Sequence, residues 1–350
     1  MTALRDRYFA PEVPTRLAAL RILVGLFGTV FLIVRTGYLF GVARLPAARF
    51  DPIGPLWFLH RPVAIGLVHV VVVVAIALGV MFALGWRYRI TGPVYALVLL
   101  TITTYDNSWQ HIAHAENLFT LHTLVLGFAP AADAWSFDAR RRRADDASIA
   151  REAYGWPVRL ISVITVCTYL LAGWAKLRHG GVHWITGDVL RNQIAQDNVR
   201  KSLLGDRSSP IGRHLVLHGW VFPPLAAASV FVEMGALLAL MRGWPRRAWV
   251  SAAWLFHVGV LAIMAILFIY PLTGIAFASM GHPDELWQRW RARRAAGAHV
   301  ETATDAAYGR ARVSDLRCPE RPTPRSVAAP RRRSAVVWRL AGSRRAGHRL

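Results

Sequence analysis

Residues 62–85 read PVAIGLVHVVVVVAIALGVMFALG and contain no formal charge. A helix that crosses the hydrocarbon core of a bilayer needs about 20 mainly apolar residues. Further apolar runs cover residues 17–34, 90–104, 118–137, 160–175, 214–241 and 248–281. The last run would be about 50 Å long as one helix, and Pro271 can break it, so we expect a full span to Tyr270 and a short eighth segment. The pattern predicts an all-α, polytopic membrane helical bundle of about eight segments.

The composition supports a membrane protein and excludes several other classes. Of 350 residues, 54% are hydrophobic and 18% are charged, fewer charges than the roughly 25% of soluble domains. The net charge is +22, but the basic residues of the main body lie between the apolar runs and are not gathered on one surface of the protein. Nucleic-acid binding is therefore not expected. The two cysteines suggest neither a disulfide framework nor a zinc site.

The chain divides into three predicted parts. Residues 1–14 form an N-terminal segment, residues 15–292 the transmembrane domain, and residues 293–350 a tail. The tail contains 14 Arg and 4 acidic residues and shows no periodicity, so we expect it to be disordered. Basic residues 140–143 and Arg151 predict a cytoplasmic loop in the cell membrane, which places the N-terminus and the tail inside as well.

Lys176, in the stretch YLLAGWAKL, is one of only two lysines beside 40 arginines. A desolvated amine can lose its proton near neutral pH, whereas a guanidinium cannot. Lys176 is therefore a candidate base inside the membrane. The alternative is a lysine at the end of a span whose amine reaches the interface.

A polar cluster lies at WQHIAHAEN, residues 109–117. His111, His114 and Asn117 share one helical face because they are three residues apart. These side chains could form hydrogen bonds inside a cavity between helices. Alternatively, the histidines could simply lie at the membrane boundary. No metal site is expected, because HxxH with nearby acids is only a weak metal signature.

Three more polar side chains lie inside apolar runs, where such groups are costly. Glu233 and His257 are the clearest polar groups of their spans, and they could pair, either for function or to hold two helices together. Arg21 lies one turn into the first span. It could be the counter-ion of Glu233, or it could reach the interface.

The chain resembles the horizontally transferred transmembrane (HTTM) domain family, whose best-known relative is the vitamin K-dependent gamma-glutamyl carboxylase. The resemblance rests on RLAALRILVGL, on NSWQHIAHAENLFTLHTLVLGFAPAADAWSFDA, on YLLAGWAKL with Trp184, and on Glu233 followed by WLFHVGVLAIMAILF. Together these stretches span roughly residues 15–285. Their order and spacing carry more weight than any one of them.

The resemblance implies site residues. The catalytic base of the carboxylase falls on Lys176, and an active-site histidine falls on His114, with His111 one gap away. Asn117 would lie close by, and the histidine of a late span falls on His257. The cofactor implied is reduced vitamin K or a menaquinol-like quinol. Only an Arg-rich tail follows the membrane part here, so peptide carboxylation is not expected, whereas oxidation of a hydroquinone is.

The leading hypothesis is a membrane enzyme that oxidises or epoxidises a lipophilic quinol. Lys176, kept neutral by desolvation, would take a phenolic proton, His114 and Asn117 would bind the anion, and His111, His257, Glu233 and Arg21 would contact the substrate. The second hypothesis is a non-enzymatic membrane helper for export or maturation of a secreted peptide. A transporter ranks third, because the break at Pro223 and Pro224 has no counterpart in the first half.

Overall fold

The structure is a computed structural model that describes residues 5, 6, 8–110, 114–142, 149–186 and 188–294. Residues Met1–Arg291 form one unit and Ala292–Leu350 form a second. The helices discussed here belong to the first unit. Apart from residues 293 and 294, the tail predicted to be disordered lies outside the described residues.

The described chain is helical and contains no β-strand, which confirms the predicted all-α class. The helices are α1 (Pro14–Val42), α2 (Ile65–Leu84), α3 (Tyr88–Asn107), α4 (Asn117–Phe128), α5 (Phe137–Arg142), α6 (Glu152–Ile185), α7 (Asp188–Leu203), α8 (Pro210–Leu215), α9 (Phe222–Met234), α10 (Trp244–Met264) and α11 (Ile269–Leu272). Short 3₁₀ turns include His114–Glu116, Gly219–Val221, Gly235–Leu240 and Ile275–Met280.

Five helical segments are long and apolar enough to cross a membrane. They are Pro14–Val42, Ile65–Leu84, Glu152–Ile185, Gly219–Leu240 and Trp244–Met264. In α2, Val72 and Ala75 are buried, while Val70, Val73 and Val80 are exposed. A helix that exposes so many large apolar side chains is stable only where its outer face meets lipid.

Successive segments run in opposite directions between two ends of the bundle. At one end, Arg16 donates to the carbonyl oxygens of Ser279 and Gly281, and Arg246 donates to that of Met280. We call this end, with Arg16, Arg87, Arg151 and Arg246, the basic end. At the opposite end, Arg35 of α1 pairs with Glu116 before α4. Besides the five segments that can cross a membrane, α3, α4 and the stretch from α11 to Met280 run between these ends, so the described chain makes eight passes, of which the α4 pass and the last one are short.

Two predicted segments end earlier than expected. The run 118–137 was expected to be one span, but α4 ends at Phe128 and Ala129 is extended, with φ −92° and ψ 157°. Pro130 follows, and a proline disfavours helical geometry in the residue before it. The span expected to reach Tyr270 ends at Met264, where Ala265 adopts a left-handed conformation with φ 51°. The break therefore precedes Pro271, which lies inside α11.

Candidate active site in the membrane domain

An ion pair between α6 and α9 forms the centre of the candidate site. Lys176 Nζ donates to Glu233 Oε1 at 2.5 Å. The Glu233 side chain is 5% exposed and that of Lys176 is 21% exposed. The expected pairing of Glu233 with His257 or Arg21 is wrong, because its hydrogen-bond partner is Lys176.

The two helices meet closely because α6 has a glycine at the crossing. A Cβ atom on Gly173 would lie 2.9 Å from Glu233 Cβ and 3.0 Å from Met234 Sδ. Real Cβ atoms essentially never approach other atoms so closely, so only glycine fits this crossing. Gly173 is three residues before Lys176, on the same face of α6, and it thereby brings Glu233 within reach of the amine.

Aromatic rings surround the ammonium group of Lys176. Its Nζ lies 5.2 Å from the ring centre of Trp184 and 5.4 Å from that of Phe256. Trp184 is eight residues further along α6, about 12 Å along a straight helix. Gly181, with φ 52° and ψ −138°, interrupts the helix between them. This kink accompanies the return of Trp184 to the amine, where a cation–π contact stabilises the charge.

A second polar pair lies between α6 and α10. The Tyr169 hydroxyl oxygen and His257 Nε2 are 2.6 Å apart and share a hydrogen bond. Tyr169, seven residues before Lys176, lies on the same face of α6. The His257 ring packs against Phe268, which in turn contacts the ring of His114. Phe256, whose ring centre lies 5.4 Å from Lys176 Nζ, also contacts the His257 ring, so the two pairs belong to one site.

Several buried polar atoms of this site have no hydrogen-bond partner among the described residues. They are Glu233 Oε2, His257 Nδ1 and Trp184 Nε1. Leaving such atoms unpaired costs free energy, and a ligand can supply the missing partners. The site thus combines a few convergent polar atoms with aromatic walls, an arrangement that suits a largely apolar molecule carrying hydroxyl or carbonyl groups.

The remaining predicted site residues lie in different places. His114 and Asn117 are exposed at the opposite end, and among the described residues His114 is linked to the site through its ring contact with Phe268. His111 lies outside the described residues. Arg21 is fully buried at the basic end, where it donates to the carbonyl oxygens of Ala131 at 3.0 Å and Trp135 at 2.7 Å. Arg21 therefore ties α1 to the turn after α4.

Tyr169 and an ion-pair group at the opposite end were not predicted from the sequence. The i, i+7 spacing places Tyr169 and Lys176 on one face of α6, and this spacing could have identified Tyr169 as a site residue. In the second case, Arg35 Nη1 lies 2.9 Å from Glu116 Oε1, and Arg35 Nη2 lies 3.4 Å from Asp106 Oδ2. Burial raises the pKa of the Glu116 carboxyl, while the Arg35 guanidinium opposes that shift. No sequence spacing links residues 35, 106 and 116.

Comparison with known proteins adds one finding. The HTTM domain matches residues 9–280, a range that includes Lys176, Glu233, Tyr169 and His257. The HTTM domain is a membrane domain of the gamma-carboxylase type. No curated protein and no solved structure matches the chain.

Proposed function

Because the chain belongs to the HTTM domain family, we propose that it binds a lipophilic quinol beside Lys176 and removes a proton from the quinol hydroxyl group. The observation that carries the proposal is the ion pair between the partly buried Lys176 and the buried Glu233, whose Oε2 has no hydrogen-bond partner among the described residues. Ionisable pairs inside a membrane domain are costly and are typical of proton-transfer sites.

The pair can accept one proton without leaving an isolated charge behind. Glu233 takes up a proton from the Lys176 ammonium group, and the neutral amine then takes the proton of the quinol hydroxyl. The products are a quinol anion, a protonated carboxyl and a lysine that is again cationic. The Lys176 charge then stabilises the anion, whose parent hydroxyl has a pKa near that of tyrosine, about 10.

The surroundings of the pair suit a quinol ring. Trp184 and Phe256 provide flat apolar walls beside Lys176, and His257 Nδ1 offers a hydrogen-bonding atom for the oxygen on the far side of the ring. An isoprenoid tail can extend into lipid along the apolar outer faces of the helices. By the family resemblance, dioxygen then oxidises the bound quinol anion, with one O₂ consumed per quinol; in the epoxidation one oxygen atom enters the ring and the other leaves as water.

The test is quinol-dependent oxygen uptake by the purified full-length chain in lipid nanodiscs containing menaquinol. Lys176→Arg keeps the positive charge and the ion pair, but a guanidinium does not release its proton. We expect uptake to fall about 100-fold or more, the usual contribution of a general base. Lys201→Arg changes the only other lysine and is the matched control, for which we expect uptake close to that of the unchanged chain.

Full uptake by Lys176→Arg would refute the base assignment. If the unchanged chain neither binds menaquinol nor takes up oxygen, the enzymatic proposal is wrong, and the helper for export or maturation of a secreted peptide becomes the better account. We further propose that the membrane is the cell membrane, and that the reaction ends at the oxidised quinol without carboxylation of a peptide.

A further inference from the structure

A cavity lies at the basic end, far along the bundle from Lys176. It has a volume of about 960 Å³ and lies between the start of α3, the turn after α4, and α5. Five arginines line it, namely Arg87, Arg89, Arg141, Arg142 and Arg151, together with the two acids Asp133 and Asp138. This cavity plays no part in the proposed quinol chemistry.

The two acids are already occupied by other partners. Asp138 accepts hydrogen bonds from the backbone N–H groups of Arg87 and Tyr88 at 2.9 and 2.7 Å. Asp133 pairs with Arg142 at 3.1 Å and accepts from the Tyr154 hydroxyl at 3.0 Å. Within the part of the chain that the structure describes, Arg87, Arg89, Arg141 and Arg151 therefore have no ion-pair partner. The described lining of the cavity, with five arginines and two acids, therefore has an excess of positive charge that an anion would balance.

An apolar surface starts at the edge of this cavity. Ile90 and Phe128 line it and are 68% and 60% exposed. Val94 and Leu97, which are also exposed, continue from Ile90 along the same face of α3. Clustered guanidinium groups that lead directly into an exposed apolar strip match the two parts of an anionic lipid.

We propose that this cavity binds the headgroup of an anionic phospholipid, with an acyl chain along Ile90, Val94 and Leu97. The guanidinium groups of Arg87, Arg89, Arg141 and Arg151 contact the phosphate and its substituent. A neutral zwitterionic lipid has a cationic group that these arginines repel, so the site discriminates by net charge. The bound lipid joins α3 to the turn after α4 and to α5.

Native mass spectrometry of the delipidated full chain tests the proposal. The probes are phosphatidylglycerol and phosphatidylcholine with identical acyl chains. We expect one tightly held phosphatidylglycerol and weaker phosphatidylcholine binding. Arg89→Gln with Arg141→Gln should weaken phosphatidylglycerol binding about 30-fold, because one arginine near an anionic lipid contributes a factor of about five.

The matched control is Arg207→Gln with Arg213→Gln, which removes the same charge from exposed positions at the opposite end. It should change phosphatidylglycerol binding less than twofold. The Arg-rich tail is present in every variant, so its contribution cancels in the comparison. An equal loss in the control pair, or equal affinity for the two lipids, would overturn the proposal. Displacement of the lipid by an equal concentration of glycerol phosphate would overturn it too, since the site would then recognise phosphate alone.

Discussion

Lys176 shows why lysine and arginine differ at a partly buried position. Its amine bonds to Glu233 at 2.5 Å and is enclosed by two aromatic rings. A guanidinium could keep this pair, but it would not exchange a proton with the carboxylate. The sequence pointed to Lys176 through the scarcity of lysine. The partner could not be predicted, because residues 176 and 233 meet only when α6 and α9 pack.

The charge balance of the pair leads to a prediction about stability. Glu233→Gln leaves the Lys176 charge partly buried without its counter-ion, and breaking a buried pair costs roughly 3 kcal/mol or more. We expect the melting temperature in detergent to fall by about 5 °C or more. The double variant Lys176→Met with Glu233→Met removes both charges and should recover most of that loss. A double variant less stable than Glu233→Gln would contradict this interpretation.

A similar test separates the Tyr169–His257 hydrogen bond from simple packing. Tyr169→Phe leaves His257 Nε2 buried without a partner, which costs about 1–3 kcal/mol. Tyr95→Phe is the control, because the buried Tyr95 hydroxyl has no hydrogen-bond partner among the described residues. Thermal unfolding should show a clear decrease for Tyr169→Phe and little change for Tyr95→Phe. Equal decreases would mean that the hydrogen bond contributes nothing measurable.

At the scale of elements, hydrophobic length predicts which segments cross the membrane but does not predict where each helix ends. The apolar runs predicted most of the membrane segments, because hydrophobic length alone defines a span. They did not predict where α4 and α10 end. The end of α4 depends on Pro130. The end of α10 depends on contacts from α7 and α8, such as the hydrogen bond that Lys201 Nζ donates to the Met264 carbonyl oxygen at 2.6 Å. Such contacts join residues that are far apart in sequence and leave no periodic signal.

The crossing of α6 and α9 gives an element-scale prediction. Gly173→Ala places a methyl group 2.9 Å from Glu233 Cβ, so α9 must move away and the Lys176–Glu233 distance must increase. We expect both a lower melting temperature and a fall of tenfold or more in quinol-dependent oxygen uptake. Gly259→Ala in α10 is the control, since a Cβ there meets nothing within 4 Å. Unchanged uptake in Gly173→Ala would show that the close approach is not needed.

At the scale of the whole molecule, the eight passes of the described chain lead back to the end at which α1 begins. The even number of passes places Arg16, Arg87, Arg151 and Arg246 together at the basic end, although they are far apart in sequence. Loops rich in arginine remain on the cytoplasmic side. We therefore infer that the basic end faces the cytoplasm and that the loop between α7 and α8 lies on the other side.

Cysteine accessibility in intact cells tests this orientation. In a background with Cys167 and Cys318 replaced by serine, a membrane-impermeant maleimide should label Arg207→Cys, which lies between α7 and α8. It should not label Arg141→Cys until the membrane is permeabilised. Labelling of Arg141→Cys alone in intact cells would reverse the orientation.

The second lysine of the chain is as constrained as the first. Lys201 is 7% exposed and contacts both the Met264 carbonyl oxygen and Asp197 Oδ2, the latter at 2.7 Å. An acylating reagent that is selective for primary amines therefore finds just two side-chain targets, each already engaged in the folded protein. The rate of acylation at each amine therefore reports how often its local contact opens, because the arginine side chains do not react with such a reagent.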